Sequence, residues 1–136
     1  MNKQQKDYAV ARARYEVLRR ALDKMEADFM KKQRIFDANG TRLCYIWQIQ
    51  DDDKAFESLT DEFLGIPEVQ EVNDAYLAAT KAKGDAEEAL IEYGLSIVED
   101  KELVATLRRG LANGNTRQKL IDATFHLDTG TVPQQA

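Results

Sequence analysis

An acidic run near the middle of the chain is the first group of residues that could do chemistry. Counted from Asp51, acids stand at the first, third, seventh and twelfth places, as in a calcium-binding loop. Such a loop needs glycine at its sixth place and an oxygen ligand at its fifth, but these places hold Phe56 and Ala55. Aspartates before an apolar periodic segment are typical of a helix N-cap. The run therefore predicts a helix start and no metal site.

The single histidine, His126, and the single cysteine, Cys44, are the other residues that could act in catalysis. A nucleophile–base pair would have to use His126, which stands near a predicted helix end, where a cation suits the helix dipole. Cys44 lies in an apolar run, which favours a buried, unreactive thiol. Gly110 and Gly114 lack the Lys-Ser/Thr pair of a phosphate-binding loop. We therefore expect a non-enzymatic protein without a cofactor.

The composition is that of an ordinary globular chain. Of its 136 residues, 43% are apolar and 32% are charged, and the formal net charge is -5. This size predicts a single helical domain over residues 1–136, with an irregular tail over 129–136. One cysteine cannot form an internal disulfide, and no apolar run has the length of a membrane span. We therefore expect a cytoplasmic protein without a membrane partner.

Residues 4–36 carry the clearest periodicity in the sequence. Apolar side chains recur at spacings of three and four residues, which is the heptad pattern of an amphipathic helix. The helix is expected to stop at residues 37–40, because the Asn-Gly pair there tolerates positive φ. The apolar positions are Tyr8, Ala11, Tyr15, Leu18, Leu22, Met25, Phe29 and Phe36.

Residues 67–99 carry a second heptad pattern of similar length. Pro67 suits the first position of a helix. Gly84 lies in the middle, but the apolar pattern keeps its phase across it, so we predict one helix that can bend there. The apolar positions are Val69, Val72, Tyr76, Ala79, Ala86, Leu90, Tyr93 and Ile97.

Two apolar stripes of equal length predict an all-α fold built on a long antiparallel helical hairpin. One register that satisfies both stripes places Tyr15 near Leu90 and Phe29 near Tyr76. Charge favours the same pairing, because residues 1–36 have a net charge of +5 and residues 67–100 have one of -7. Further apolar residues beside the stripes indicate more neighbours than one, which the C-terminal helices or a second copy in a homodimer could supply.

The segment between the two long helices is the first candidate contact region for a protein partner. Residues 41–50 are rich in aromatic and β-branched residues and predict a short β-strand, although no partner strand is evident. Residues 52–64 predict a short helix. A short loop could have joined the hairpin, so the insertion itself suggests a function, with Tyr45, Trp47 and Phe56 as partner-binding residues. The alternative is that residues 41–64 fold back and cover the core.

Two shorter helices are predicted at the C-terminal end, at about 101–112 and 116–127. They outline a helix-turn-helix with Arg108, Arg109, Arg117 and Lys119 around the turn, so nucleic-acid binding is an alternative function. The net charge over residues 101–128 is only +2, which makes it the weaker hypothesis. A further alternative is an acidic inhibitor or mimic, because residues 37–100 have a net charge of -12 and could bind a basic surface.

Overall fold

The computed structural model describes residues 1–49 and 52–129. Within these residues the chain forms five α-helices and a short 3-10 turn at Ile46–Gln48, and no β-sheet, so the predicted all-α fold is confirmed. No helix in the described ranges is long and apolar enough to cross a membrane. The helices are α1 (Lys3–Gln33), α2 (Asp53–Leu64), α3 (Pro67–Ser96), α4 (Lys101–Gly110) and α5 (Gly114–Thr129).

The predicted helical hairpin is confirmed, since α1 packs against α3. The chain divides into two compact units, to which both long helices contribute: a terminal unit (residues 1–13 and 81–136) and a middle unit (residues 14–80). The single domain over 1–136 stays a prediction. In the predicted tail, residue 129 ends α5, and residues 130–136 lie outside the described part of the chain.

The terminal unit has a core where α1, α3 and α5 meet. Its fully buried apolar residues are Tyr8, Leu90, Ile91, Leu95 and Ile121. A buried polar contact fixes the start of α1 to α5, because the Gln5 side-chain amide donates to the Thr124 carbonyl oxygen at 2.7 Å. Burial of an unpaired amide would be costly, so this bond makes the interior position of Gln5 tolerable.

The middle unit has a separate core, to which the inserted segment contributes. The rings of Phe29 on α1 and Phe63 on α2 lie 5.3 Å apart between centroids, and Asp52 caps α2 by accepting from the Ala55 amide at 3.0 Å. The helix start predicted from the acidic run is therefore confirmed, while Asp51 lies outside the described residues. The buried apolar residues of this core are Phe29, Met30, Ile46, Leu59, Phe63 and Val69.

The predicted strand over residues 41–50 is wrong for its described part, residues 41–49. Only one isolated antiparallel bridge forms, between Phe36 and Arg42, and residues 46–48 turn into a 3-10 helix. A strand needs a partner, and no neighbouring segment supplies one.

The predicted end of the first helix is also too late: α1 ends at Gln33, and Arg34 takes a left-handed φ of 54°. Phe36 consequently leaves the apolar stripe and is 51% exposed.

The predicted register of the hairpin is wrong as well. Tyr15 packs on Tyr76, with ring centroids 5.4 Å apart, and Phe29 packs on Phe63. A heptad stripe can slide by whole repeats without losing apolar contact, so the sequence pattern alone does not select the register. The continuous second helix is confirmed, because α3 runs through Gly84 without interruption.

Candidate protein-binding groove

The 3-10 turn at residues 46–48 is held by side chains from two places. The Gln48 side-chain oxygen accepts from the Cys44 and Tyr45 amides at 2.8 and 3.0 Å. A carboxylate oxygen of Glu26 on α1 accepts from the Ile46 amide at 2.8 Å. These bonds replace the ladder that a strand would have formed. They also fix the direction of two neighbouring side chains, because Ile46 points into the core and Trp47 out of it.

Trp47 is the most exposed of the three residues predicted to bind a partner. Trp47 is 67% exposed, and its ring lies nearly parallel to that of Tyr45, with centroids 6.2 Å apart and an interplanar angle of 11°. Phe56 on α2 is 40% exposed. Trp47 and Phe56 line one groove of about 330 Å³ in the middle unit. Tyr45 does not line this groove but stacks its ring on that of Trp47. The structure thus brings the three predicted residues into one region.

Three helices complete the walls of this groove. The lining also includes Leu22, Leu64 and Tyr76, which the sequence patterns did not indicate as partner-binding residues. A signal for Leu64 was present, because it lies at the edge of one wide apolar stripe of α2. That stripe consists of Phe56, Leu59, Phe63 and Leu64. The stripe is wider than the core of the unit covers, because Phe56 and Leu64 stay exposed.

Charges at the groove are mixed, and its surroundings are acidic. Arg19, Asp23 and Glu26 of α1 lie along its wall. The exposed side of α2 has four acids and one base, namely Asp53, Lys54, Glu57, Asp61 and Glu62. A hydrogen bond to Tyr15 at 3.4 Å, together with burial, raises the pKa of Tyr76, so this hydroxyl stays neutral at the groove floor.

The four basic residues of the alternative nucleic-acid site lie in the terminal unit, and half of them are paired. Arg108 forms a bidentate ion pair with Glu92, with hydrogen bonds of 2.8 and 3.0 Å. Arg117 donates hydrogen bonds to both Glu87 and Glu88. These hydrogen bonds raise the pKa of both guanidinium groups.

The remaining two bases, Arg109 and Lys119, form no ion pair among the described contacts. Arg109 donates to the Thr106 hydroxyl at 3.2 Å, and Lys119 is exposed. The carboxylates of α3 thus pair with two of the four cations. This pairing lowers the field available to a phosphate backbone.

Of the two candidates for catalysis, only Cys44 has a side chain that the structure describes. Cys44 is exposed, so the predicted burial of its thiol is wrong; the segment around it lies on the surface because the neighbouring turn sends only Ile46 inward. The side chain of His126 lies outside what the structure describes. Among the described residues, no cluster of His, Cys, Asp and Glu could hold a metal ion.

The chain was also compared with known proteins. No protein-family model, curated protein or solved structure matches it significantly. The groove's geometry and charge are therefore the observations on which a function can be argued.

Proposed function

We propose that the chain is a non-enzymatic interaction protein whose groove in the middle unit binds one helix of a protein partner. The observation that carries this proposal is the exposure of Trp47 in a turn whose backbone amides donate hydrogen bonds to Gln48 and Glu26. A tryptophan held in one orientation loses little freedom on binding and buries a large apolar area, which is why such residues dominate the energy of interfaces.

The shape of the groove favours a helix as the occupant. Its apolar lining comes from α1, α2 and α3 together, through Leu22, Phe56 and Tyr76 among others. A fourth helix laid between helices can pack its side-chain ridges into theirs, as in a helical bundle. The partner helix would present apolar residues at spacings of three and four.

Charge favours a basic edge on that partner helix. The middle unit has 14 acids against 9 bases, and the exposed side of α2 is acidic. Lysines and arginines beside the partner's apolar stripe would meet complementary potential, which raises the association rate and selects against acidic partners. This proposal joins two expectations from the sequence, the aromatic contact region and the acidic face.

Fluorescence of Trp47 supplies a direct test, since it is the chain's single tryptophan. Two synthetic amphipathic helices would be titrated, with the same leucine stripe and with either lysine or glutamate on the polar face. We expect the lysine peptide to shift the Trp47 emission to the blue and to bind more weakly as salt rises. Equal binding of both peptides, or none of either, would refute the proposed partner chemistry.

Two matched variants test whether the lysine peptide binds in the groove. Phe56→Ala keeps the fluorescent reporter and is expected to weaken binding of the lysine peptide about tenfold or more, since hot-spot truncations cost about 2 kcal/mol. Leu77→Ala is the control: Leu77 is 57% exposed in the same unit and does not line the groove. An equal loss of affinity in both variants would mean that the peptide does not use the groove.

Self-association and location are separate parts of the proposal. Val10 and Val17 on α1 are exposed apolar residues one heptad apart, a spacing that suits a homodimer. We expect sedimentation to give twice 15.5 kDa at micromolar concentrations. A constant mass of one chain would rule the dimer out. A cytoplasmic location is proposed on composition alone.

A further inference from the structure

A second concave site in the middle unit is basic, although the unit as a whole is acidic. This basic pocket has a volume of about 630 Å³ and is lined by Lys31, Arg34, Phe36, Thr41, Arg42 and Cys44. Three of its six lining residues are cationic and none is acidic. Concentrated positive charge in a concavity focuses the local field and attracts anions.

A short hairpin-like turn builds the pocket. The Leu43 amide donates to the Ile35 carbonyl at 2.7 Å, and Phe36 and Arg42 form the isolated bridge. This pairing sets Arg34 and Arg42 at the base of the same turn. The acid of the turn, Asp37, is not among the lining residues, and its carboxylate accepts from the Asn39 and Thr41 amides at 2.8 and 2.9 Å.

The backbone at Arg34 adds an independent observation. Its φ of 54° lies in the left-handed region, where glycine or asparagine usually ends a helix. An arginine there is strained, and residues strained in this way are concentrated at functional sites. Lys31 lies in the last turn of α1 and offsets the negative end of the helix dipole. Arg34 and Arg42 are therefore the residues best placed to bind an external anion.

Phe36 gives the pocket an apolar wall, since it is 51% exposed and lines the pocket together with the cations. We propose that the basic pocket binds a small phosphate monoester carried on a planar ring. The guanidinium groups would take the phosphate oxygens, for which their planar fork is suited, and the ring would stack on Phe36. A single concavity, unlike an extended basic stripe, favours a small ligand over a nucleic-acid strand.

Phenyl phosphate is the probe that tests both halves of the proposal, with inorganic phosphate and phenol as partial probes. Amide resonances of Thr41 and Cys44 would be followed by NMR during each titration. We expect phenyl phosphate to bind about tenfold more tightly than inorganic phosphate, because its ring would stack on the ring of Phe36. Phenol should not shift these resonances. Equal affinity for phosphate and phenyl phosphate would overturn the role of Phe36.

Variants separate binding from folding. Arg34→Gly suits the left-handed backbone, so this variant should fold and yet lose at least about tenfold in affinity for phenyl phosphate, the size expected for one charge-assisted contact. Arg42→Gln should lose a similar factor. Lys24→Gln, an exposed base of the same unit outside the pocket, is the control and should bind as the parent does.

Two results would overturn the proposal. One is unchanged binding of phenyl phosphate in Arg34→Gly and Arg42→Gln. The other is a single-stranded oligonucleotide that shifts the same resonances at lower concentration than phenyl phosphate, since that result would identify the pocket as part of a nucleic-acid surface.

Discussion

Two neighbouring residues of the 3-10 turn should respond oppositely to truncation. Ile46 is 6% exposed and belongs to the core of the middle unit, whereas Trp47 is 67% exposed; both residues are among those that line the groove. We expect Ile46→Ala to destabilise the fold and Trp47→Ala to leave it largely intact. The pair tests whether this segment covers the core, binds a partner, or does both through different side chains.

The expected magnitudes follow from burial. Truncation of a buried isoleucine to alanine costs about 3 kcal/mol, because it removes apolar contacts and leaves a cavity. About a third of Trp47 is covered, on the order of 80 Å², which limits its burial contribution to roughly 2 kcal/mol. Partial burial in the unfolded chain lowers that limit, so we expect Trp47→Ala to cost about 1 kcal/mol.

Urea unfolding followed by helical circular dichroism measures both free energies. The midpoint should fall clearly for Ile46→Ala and little for Trp47→Ala, with similar slopes for both variants and the parent. Binding of the lysine peptide, measured by calorimetry, should be lost in Trp47→Ala. A loss of stability in Trp47→Ala as large as that in Ile46→Ala would refute the assignment of Trp47 to a binding surface.

Three further predictions concern the terminal unit. A Cβ added in Gly94→Ala would lie 2.8 Å from the methyl carbon of buried Thr124, so we expect a loss of about 2 kcal/mol in urea unfolding, largely restored by adding Thr124→Ser. Burial raises the pKa of Tyr8 above 10.0, so the folded state favours its neutral form; stability should hold below about pH 10 and fall as pH rises further, with a shallower fall in Tyr8→Phe. The hydrogen bond from Arg108 lowers the pKa of Glu92 below 4.5, and NMR titration of Arg108→Gln should return it upward; an unchanged pKa would contradict that cause.

Helices were the part of the fold that the sequence predicted well. The two heptad stripes, the continuity of α3 through Gly84 and the cap at Asp52 all follow from local chemistry that the structure retains. The end of α1 was mispredicted because Asn39-Gly40 is the stronger local signal, while the chain leaves the helix earlier through a strained Arg34. Helix propensities do not indicate where tertiary contacts hold a residue in an unfavourable backbone conformation.

Register is decided by contacts that periodicity does not encode. Phe29 was expected to meet Tyr76 on the opposite long helix, but Phe63 of α2 occupies that place. The inserted segment therefore competes with α3 for one end of the α1 stripe. Two helical stripes alone contain no information about a third element that packs between them, so a sequence-based pairing of the two long helices had to miss it.

Residues 41–64 were chosen as the contact region because they form a long, aromatic-rich insertion between the two long helices. Within that insertion, the predicted strand over residues 41–50 gave no reason to expect Ile46 to be more buried than Trp47. In the structure Ile46 is the buried residue, because Glu26 captures its amide and turns the chain. Trp47 is exposed as the next residue of that turn rather than as one member of a strand face. A long-range hydrogen bond from α1 thus decides which side chain reaches solvent, and since the bond joins residues 20 positions apart, no local pattern could have revealed it.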